Sequence, residues 1–134
     1  MAEKRRILII DDSEIVLQRL RSRLTAEGYD VVTMRQPVGA GRHMLHCDLV
    51  IIDFYMPGID GGEVVRSLRA ACASLGARPP FYVYTSDRRI EKDSQKWGFD
   101  GSFVQKGDDD SLVHQIAAAF RLAQLRGLGR KPQN

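Results

Sequence analysis

Short apolar runs alternate along this chain with stretches in which apolar side chains recur every three or four positions. "RILIID", residues 6–11, is β-branched and apolar and reads as a strand. "SEIVLQRLRSRLTAEG" follows, with Ile15, Val16, Leu20 and Leu24 at mostly helical spacing and a stop at Gly28. "DVVTM" reads as a second strand. "PVGAGRHMLH" reads as a weak helix, because Gly39 and Gly41 each cost about 1 kcal/mol relative to alanine. "DLVIID" is a third strand. Asp60 can then cap a helix starting at Gly61, with Glu63 in capping-box position, that runs through Val64, Val65 and Leu68 towards Leu75 and breaks at "GARPP". "FYVYTS" is a fourth strand, "RRIEKDSQKWG" a short polar helix and "GSFVQK" a fifth strand. In the last helix, "DDSLVHQIAAAFRLAQL", the side marked by Val113, Ile116, Ala117, Phe120 and Ala123 or Gln124 should be buried.

Strand then helix, five times over, argues for βαβ units and a parallel sheet. Strands as continuously apolar as "LVII" suit a sheet covered on both faces. A fold of this kind binds ligands at the carboxyl ends of its strands. Those ends carry Asp11 and Asp12, then Asp53, then Thr85 and Ser86, then Lys106. In a parallel sheet they share one edge.

Three carboxylates on one edge need a counter-charge. Two of them about 5 Å apart repel by roughly 3 kcal/mol at an effective dielectric near 20, and each raises the others' pKa unless a cation intervenes. Lys106 supplies one positive charge. A hard divalent ion, Mg²⁺ or Mn²⁺, suits a few carboxylates together with water and a phosphate oxygen. Asp53 could then attack phosphorus, with Thr85 and Lys106 stabilising the transferring group. Taken singly, Asp12 or Ser13 reads equally as a helix cap, Asp53 as a strand-end acid, Thr85 as a β-former and Lys106 as a solvated lysine. Five such residues, Asp11, Asp12, Asp53, Thr85 and Lys106, in order on the strand ends that share this edge, are hard to explain as caps.

Composition narrows the class. A chain of 134 residues favours one domain, and 43% hydrophobic with 28% charged residues is the balance of a soluble globular protein. No apolar run approaches a membrane span, and "MAEKRR" lacks the form of a signal peptide, so the cytoplasm is expected. Cys47 and Cys72 form no C-x-x-C and read as reduced, buried residues. The net charge of +3 lies largely in the tail, without the interleaved aromatics of a nucleic-acid surface.

"ILIIDDSEIV", "LVIIDFYMPGIDG", "VYTS" and "FVQK" together resemble the receiver domains of two-component response regulators, over about residues 5 to 125. The resemblance implies a doubly wound (βα)5, flavodoxin-like three-layer sandwich with parallel strand order 2-1-3-4-5, a fold for which this type of receiver is a standard example. It implies Asp53 as phosphoacceptor, Asp12 as a direct Mg²⁺ ligand, Asp11 as a ligand acting largely through water, and the backbone carbonyl of Tyr55 as a further ligand. Thr85 is similar to the switch hydroxyl and Lys106 to the lysine that contacts phosphate. Phe103 sits where the family has a rotating aromatic; a plain core Phe is the alternative. Tyr55 and Asp87 occupy positions that tune the lifetime of the phosphoryl group. The implied partners are a sensor histidine kinase or histidine phosphotransfer protein as donor and an unidentified output protein on the fourth-helix, fifth-strand, fifth-helix face. Neither nucleic acid nor membrane is implied, and the state is monomer or weak dimer. The activity is that of a switch that catalyses its own phosphorylation and slow hydrolysis, rather than a conventional enzyme.

Three positions depart from the family pattern. Gly107 follows Lys106 where proline is usual, so a trans bond or a rearranged loop is expected. Ser86 follows Thr85 where a smaller residue is common. Tyr55 is bulky at a position flanking the phosphoryl site, which suggests a long-lived phosphoryl state. The receiver unit is expected over residues 1–126, with 127–134 a short basic tail, linker-like or frayed, and no output domain. Trp97 is expected to anchor a partner or to plug the sheet edge. A pseudo-receiver that binds partners without phosphorylation is the competing reading. A haloacid-dehalogenase-type phosphatase would need D-x-D-x-T after the first strand, and a flavodoxin-like carrier a Ser/Thr/Gly-rich loop where "DDSEIV" stands.

Overall fold

A computed structural model describes residues 4–130. Five parallel strands form the sheet: β1 (Arg6–Ile10), β2 (Asp30–Met34), β3 (Leu49–Ile52), β6 (Phe81–Tyr84) and β7 (Gly101–Phe103), in the order β2-β1-β3-β6-β7. The labels β4 (Tyr55–Met56) and β5 (Ile59–Asp60) belong to a separate two-stranded hairpin. Counting only the strands of the main sheet, the order is the expected 2-1-3-4-5.

Side-chain alternation along these strands builds the two cores. Leu8, Ile10, Val50, Ile52, Phe81 and Val83 face one side. There they meet α2 (Gly61–Leu75), a 3₁₀ segment (Ala40–His46) and α3 (Arg88–Lys92). Ile7, Ile9, Leu49, Ile51, Tyr82, Tyr84 and Phe103 face the other, under α1 (Glu14–Ala26) and α4 (Asp109–Leu125). Because the side-chain period of a strand is two, one apolar run such as "LVII" supplies both cores at once.

Several local expectations are corrected. Residues 40–46 form a 3₁₀ turn and not an α-helix, entered through Gly39 at φ 83°; two glycines in so short a segment leave too little propensity for an α-helix. The polar segment after the fourth sheet strand breaks into α3 and a second 3₁₀ turn (Ser94–Trp97). On α1 the buried positions are Leu17, Leu20 and Leu24, whereas Ile15 is 76% exposed. On α4, Leu112 and Ala119 join Ile116, Phe120 and Ala123 in the core, Val113 and Ala117 are half-buried and Gln124 is exposed. Trp97 is half-buried, edge-to-face on Phe54 at 5.0 Å, and covers Gly62 so closely that a Cβ there would lie 2.9 Å from its ring. It packs against the core on the α2 side of the sheet.

The residues after α4 pack instead of fraying. Gly129 N–H donates to the Arg78 carbonyl at 2.7 Å, and the Arg130 guanidinium donates to both oxygens of Asp48 and to the Lys4 carbonyl. Asp48 also accepts from Arg6 N–H at 2.8 Å, so this clasp joins the starts of β1 and β3 to the chain beyond α4. Residues 131–134 of the expected tail lie outside the described residues.

Candidate functional site

The first sheet strand stops at Ile10 because Asp11 turns its carboxylate back on the chain: Asp11 Oδ1 accepts from Ser13 N–H at 2.9 Å. Ser13, not Asp12, caps α1, its Oγ accepting from Val16 N–H at 3.3 Å. The Asp12 carboxylate is thereby released from capping and forms no hydrogen bond or ion pair among the described residues. Asp53 follows β3 directly, and its N–H donates to the Ile10 carbonyl at 2.9 Å, which fixes it beside Asp11.

Asp11, Asp12 and Asp53 each offer an oxygen within 4.8 Å of the others. Lys106 Nζ donates to Asp11 Oδ2 at 3.0 Å and to Asp53 Oδ1 at 3.2 Å. Asp11 is 3% and Asp53 9% exposed, so this is an ion-paired, mostly desolvated cluster. Burial pushes the Asp53 carboxyl up to about 6; Lys106 pulls it down, and Asp11 and Asp12 push it further up. One ammonium therefore does not neutralise the three acids. The donor set is all hard oxygen with surplus negative charge, which fits Mg²⁺ or Mn²⁺. Lys106 itself is raised: burial lowers it, and the two carboxylates outweigh that. A cleft of about 810 Å³, lined by Asp12, Met34, Arg35, Arg42 and Met56 among others, opens beside the acids.

Thr85 is 2% exposed and lies just beyond β6, where its Oγ1 accepts from Asp87 N–H at 3.2 Å. Asp87 caps α3. Hydrogen bonds from Arg89, and then from Tyr55, hold its carboxyl well below the usual range. Tyr55 begins the β4–β5 hairpin, is 54% exposed, and packs edge-to-face on Phe54. Its hydroxyl donates to Asp87 Oδ2 at 2.6 Å, so the two positions expected to tune the site are joined to each other. Phe103 is 1% exposed and lies flat on Tyr82, with ring centroids 4.5 Å apart.

One placement differs from the sequence reading. Lys106 does not end a strand: β7 stops at Phe103, and Val104 to Gly107 form a loop with Gln105 at φ 61° and Gly107 at φ 105°. There is no cis peptide bond among the described residues. Two residues the sequence reading passed over hold that loop. Tyr84 accepts a hydrogen bond from Gly107 N–H, and Gln115 bonds both backbone groups of Val104. Tyr84 stands within "VYTS" but read only as a strand residue before Thr85, and Gln115 is one polar residue among several on its helix, so no sequence signal marked either as a support for the loop.

The family model for the response regulator receiver domain matches residues 7–117. Among curated proteins, Response regulator MprA of Mycobacterium sp. (strain KMS) is 34% identical over 128 residues, covering 94% of this chain and 51% of that protein. The chain thus spans about half the length of the curated relatives it matches. TrrA of Thermotoga maritima, solved in complex with Mg(2+)-BeF, is 28% identical with a TM-score of 0.70, covering 85% of this chain and 97% of that one. The receiver domain protein (CheY-like) of Methanospirillum hungatei shares the fold at 18% identity and a TM-score of 0.77, covering 92% of this chain and 99% of that one. With the five sheet strands, but for Arg6, and the acidic edge inside the matched span, the chain belongs to the response regulator receiver domain family.

Proposed function

We propose that this domain accepts a phosphoryl group on Asp53 and uses it to switch a protein-binding surface. The observation that carries the reading is Lys106 bridging Asp11 and Asp53 at 3.0 and 3.2 Å although the chain has Gly107 where the family has proline. That geometry speaks against the phosphorylation-independent pseudo-receiver, a reading favoured by Gly107 and by the weak fourth helix.

The donor is a phosphohistidine of a sensor kinase or phosphotransfer protein. An Asp53 oxygen attacks phosphorus, a P–O bond forms, and the P–N bond breaks with its electron pair leaving on the imidazole. Asp11, Asp12 and the Tyr55 carbonyl would hold the divalent ion, which supplies charge neutralisation to the phosphoryl oxygens. Lys106 moves from pairing Asp53 to pairing a phosphoryl oxygen. Thr85 Oγ donates to another, giving up its contact with Asp87 N–H. Vacating that space lets Phe103 couple to Thr85, and the face of α3, β7 and α4 is reshaped for an output protein. Tyr55, tied to Asp87, shields the acyl phosphate from water and lengthens its life. The domain works in the cytoplasm as a monomer or weak dimer, and the packing of Gly129 and Arg130 carries the receiver unit beyond residue 126.

The test uses beryllofluoride as a stand-in for the phosphoryl group, as in the complex of TrrA. Trp97, the single tryptophan, packs on Phe54 next to Asp53 and reports on the site. Its fluorescence should change on adding beryllofluoride with Mg²⁺. An unchanged signal together with unshifted amide resonances around Asp53 would leave the pseudo-receiver as the better reading.

A further inference from the structure

We propose that Gln115 and Tyr84 are positioning residues that clamp the Lys106 loop and so aim its ammonium at Asp53; the proposal rests on Asp53 being the phosphoryl acceptor. The strand β7 is at the sheet edge, with β6 as its one neighbour, so the backbone beyond Phe103 has no second strand to pair with. Gln115 of α4 takes that place. Its Oε1 accepts from Val104 N–H at 2.8 Å and its Nε2 donates to Val104 O at 3.0 Å. One primary amide thus satisfies both backbone groups of a single residue, as a neighbouring strand would. Ser111 Oγ accepts from the same Nε2 at 3.0 Å, which fixes the amide's orientation.

On the other side of Lys106, Gly107 N–H donates to the Tyr84 hydroxyl at 3.1 Å, and Asp108 N–H donates to the Gln105 carbonyl at 2.9 Å. The lysine stands between two tethers, and between two residues in the left-handed region, Gln105 at φ 61° and Gly107 at φ 105°. For Gln105 this backbone costs on the order of 1–3 kcal/mol and persists only where its surroundings impose it. Packing does not impose it, since Val104 is 40% exposed and Gln105 and Gly107 are also exposed. Besides the Gln105–Asp108 turn bond and the ion pairs of Lys106 itself, the hydrogen bonds to α4 and β6 are what hold the loop from outside. The Tyr84 ring also backs the lysine, with Nζ 5.5 Å from its centroid. In place of the usual proline, two side chains from either side of the loop define where the ammonium sits.

The experiment compares wild type with Gln115→Leu, Gln115→Glu and Tyr84→Phe, each also combined with Lys106→Met. Acetylation of Lys106 by a small amine-reactive ester is followed by peptide mass spectrometry, and phosphorylation by acetyl phosphate is followed at saturating Mg²⁺. With the clamp cut, Lys106 acetylation should rise several-fold while Lys92 and Lys96 stay constant. Phosphorylation should slow by about tenfold in Gln115→Leu, as expected when a catalytic group is displaced by a fraction of an ångström. Gln115→Glu keeps the acceptor for Val104 N–H and should fall in between. With Lys106 already replaced by methionine, none of the three should slow the reaction further. Unchanged Lys106 labelling, or equal slowing with and without the lysine, would overturn the clamp. A wild type that takes no phosphoryl group would overturn the acceptor reading instead, and the labelling would then decide the clamp alone.

Discussion

The Tyr55 hydroxyl and the Asp87 carboxylate meet at 2.6 Å, joining the hairpin after the third sheet strand to the cap of α3. Arg89 donates to the same carboxylate from its backbone N–H at 2.9 Å and from its guanidinium, so Asp87 is held still to receive the tyrosine. If this bridge shields the phosphoryl group, then Tyr55→Asn should shorten the phosphorylated lifetime by about fivefold or more, the factor typical of losing one good hydrogen bond and its ring. Tyr55→Phe should show part of the effect and Asp87→Asn a similar part. Decay of the phosphorylated form after removal of the donor measures it, and equal decay in all four proteins would remove Tyr55 from the mechanism.

Asp53 is expected to weaken the metal-free fold at neutral pH. Its carboxyl titrates near 6 because of burial, above its unfolded value of 3.8. The folded state therefore binds its proton more tightly than the unfolded state does, and stability rises as pH falls from about 6 to about 4. Above pH 6 the ionised acid costs on the order of 1–3 kcal/mol. Asp53→Asn should accordingly raise Tm in EDTA at pH 7, with the gain fading towards pH 4. Mg²⁺ should raise the Tm of wild type and do so much less for the variant. Urea melts at three pH values read the effect directly.

The clasp between Arg130 and Asp48 should carry measurable stability. The pair is largely shielded, with side chains 24% and 13% exposed, and Nη2 lies 2.8 Å from Oδ2. Arg130→Ala should cost about 1.5–3 kcal/mol, the range for hydrogen bonds to charged groups. Burial alone would raise the Asp48 carboxyl, but hydrogen bonds from Arg130 and Arg6 N–H bring it below its usual value. For a depressed acid the stabilisation is present above the unfolded pKa and is lost as pH falls through the folded one. The difference between wild type and Arg130→Ala should thus narrow in acid.

Gly101 is a point where one methyl group should disturb the aromatic pair of Tyr82 and Phe103. A Cβ there would lie 2.8 Å from Tyr82 Cε2, and Tyr82 is stacked on Phe103. Gly101→Ala should cost roughly 1–3 kcal/mol through overpacking and shift the ring resonances of both aromatics. A variant as stable as wild type with unmoved rings would show that the Tyr82 ring yields freely.

The parallel sheet was legible because five apolar runs are separated by helical spacings and the acids sit where strands end; its order followed from the resemblance to receiver domains, and Lys106 lies three residues beyond the end of its strand. Asp60 capping α2 could be read from the capping box alone; its Oδ1 accepts from Glu63 N–H at 2.8 Å. What could not be read depends on which residues the chain brings together from a distance. Ile15 fits the helical period, yet the face of α1 that meets the sheet is set by Leu17, Leu20 and Leu24. The 3₁₀ turn at Ala40–His46 is decided by two glycines and by packing under α2, where period alone suggested an α-helix. At the site, Tyr55, Asp87 and Lys106 were identifiable one by one. The bond from Tyr55 to Asp87, the pairing of Lys106 with Asp11 and Asp53, and the support of Lys106 by Tyr84 and Gln115 exist only in the folded chain.

The central claim is that Asp53 accepts the phosphoryl group, and the most direct measurement is intact-protein and peptide mass spectrometry after incubation with acetyl phosphate and Mg²⁺. Wild type should carry a single phosphoryl group on the peptide containing Asp53. It should be absent in Asp53→Asn, absent in EDTA and strongly reduced in Lys106→Met. No adduct on wild type, or an adduct that survives in Asp53→Asn, would contradict it.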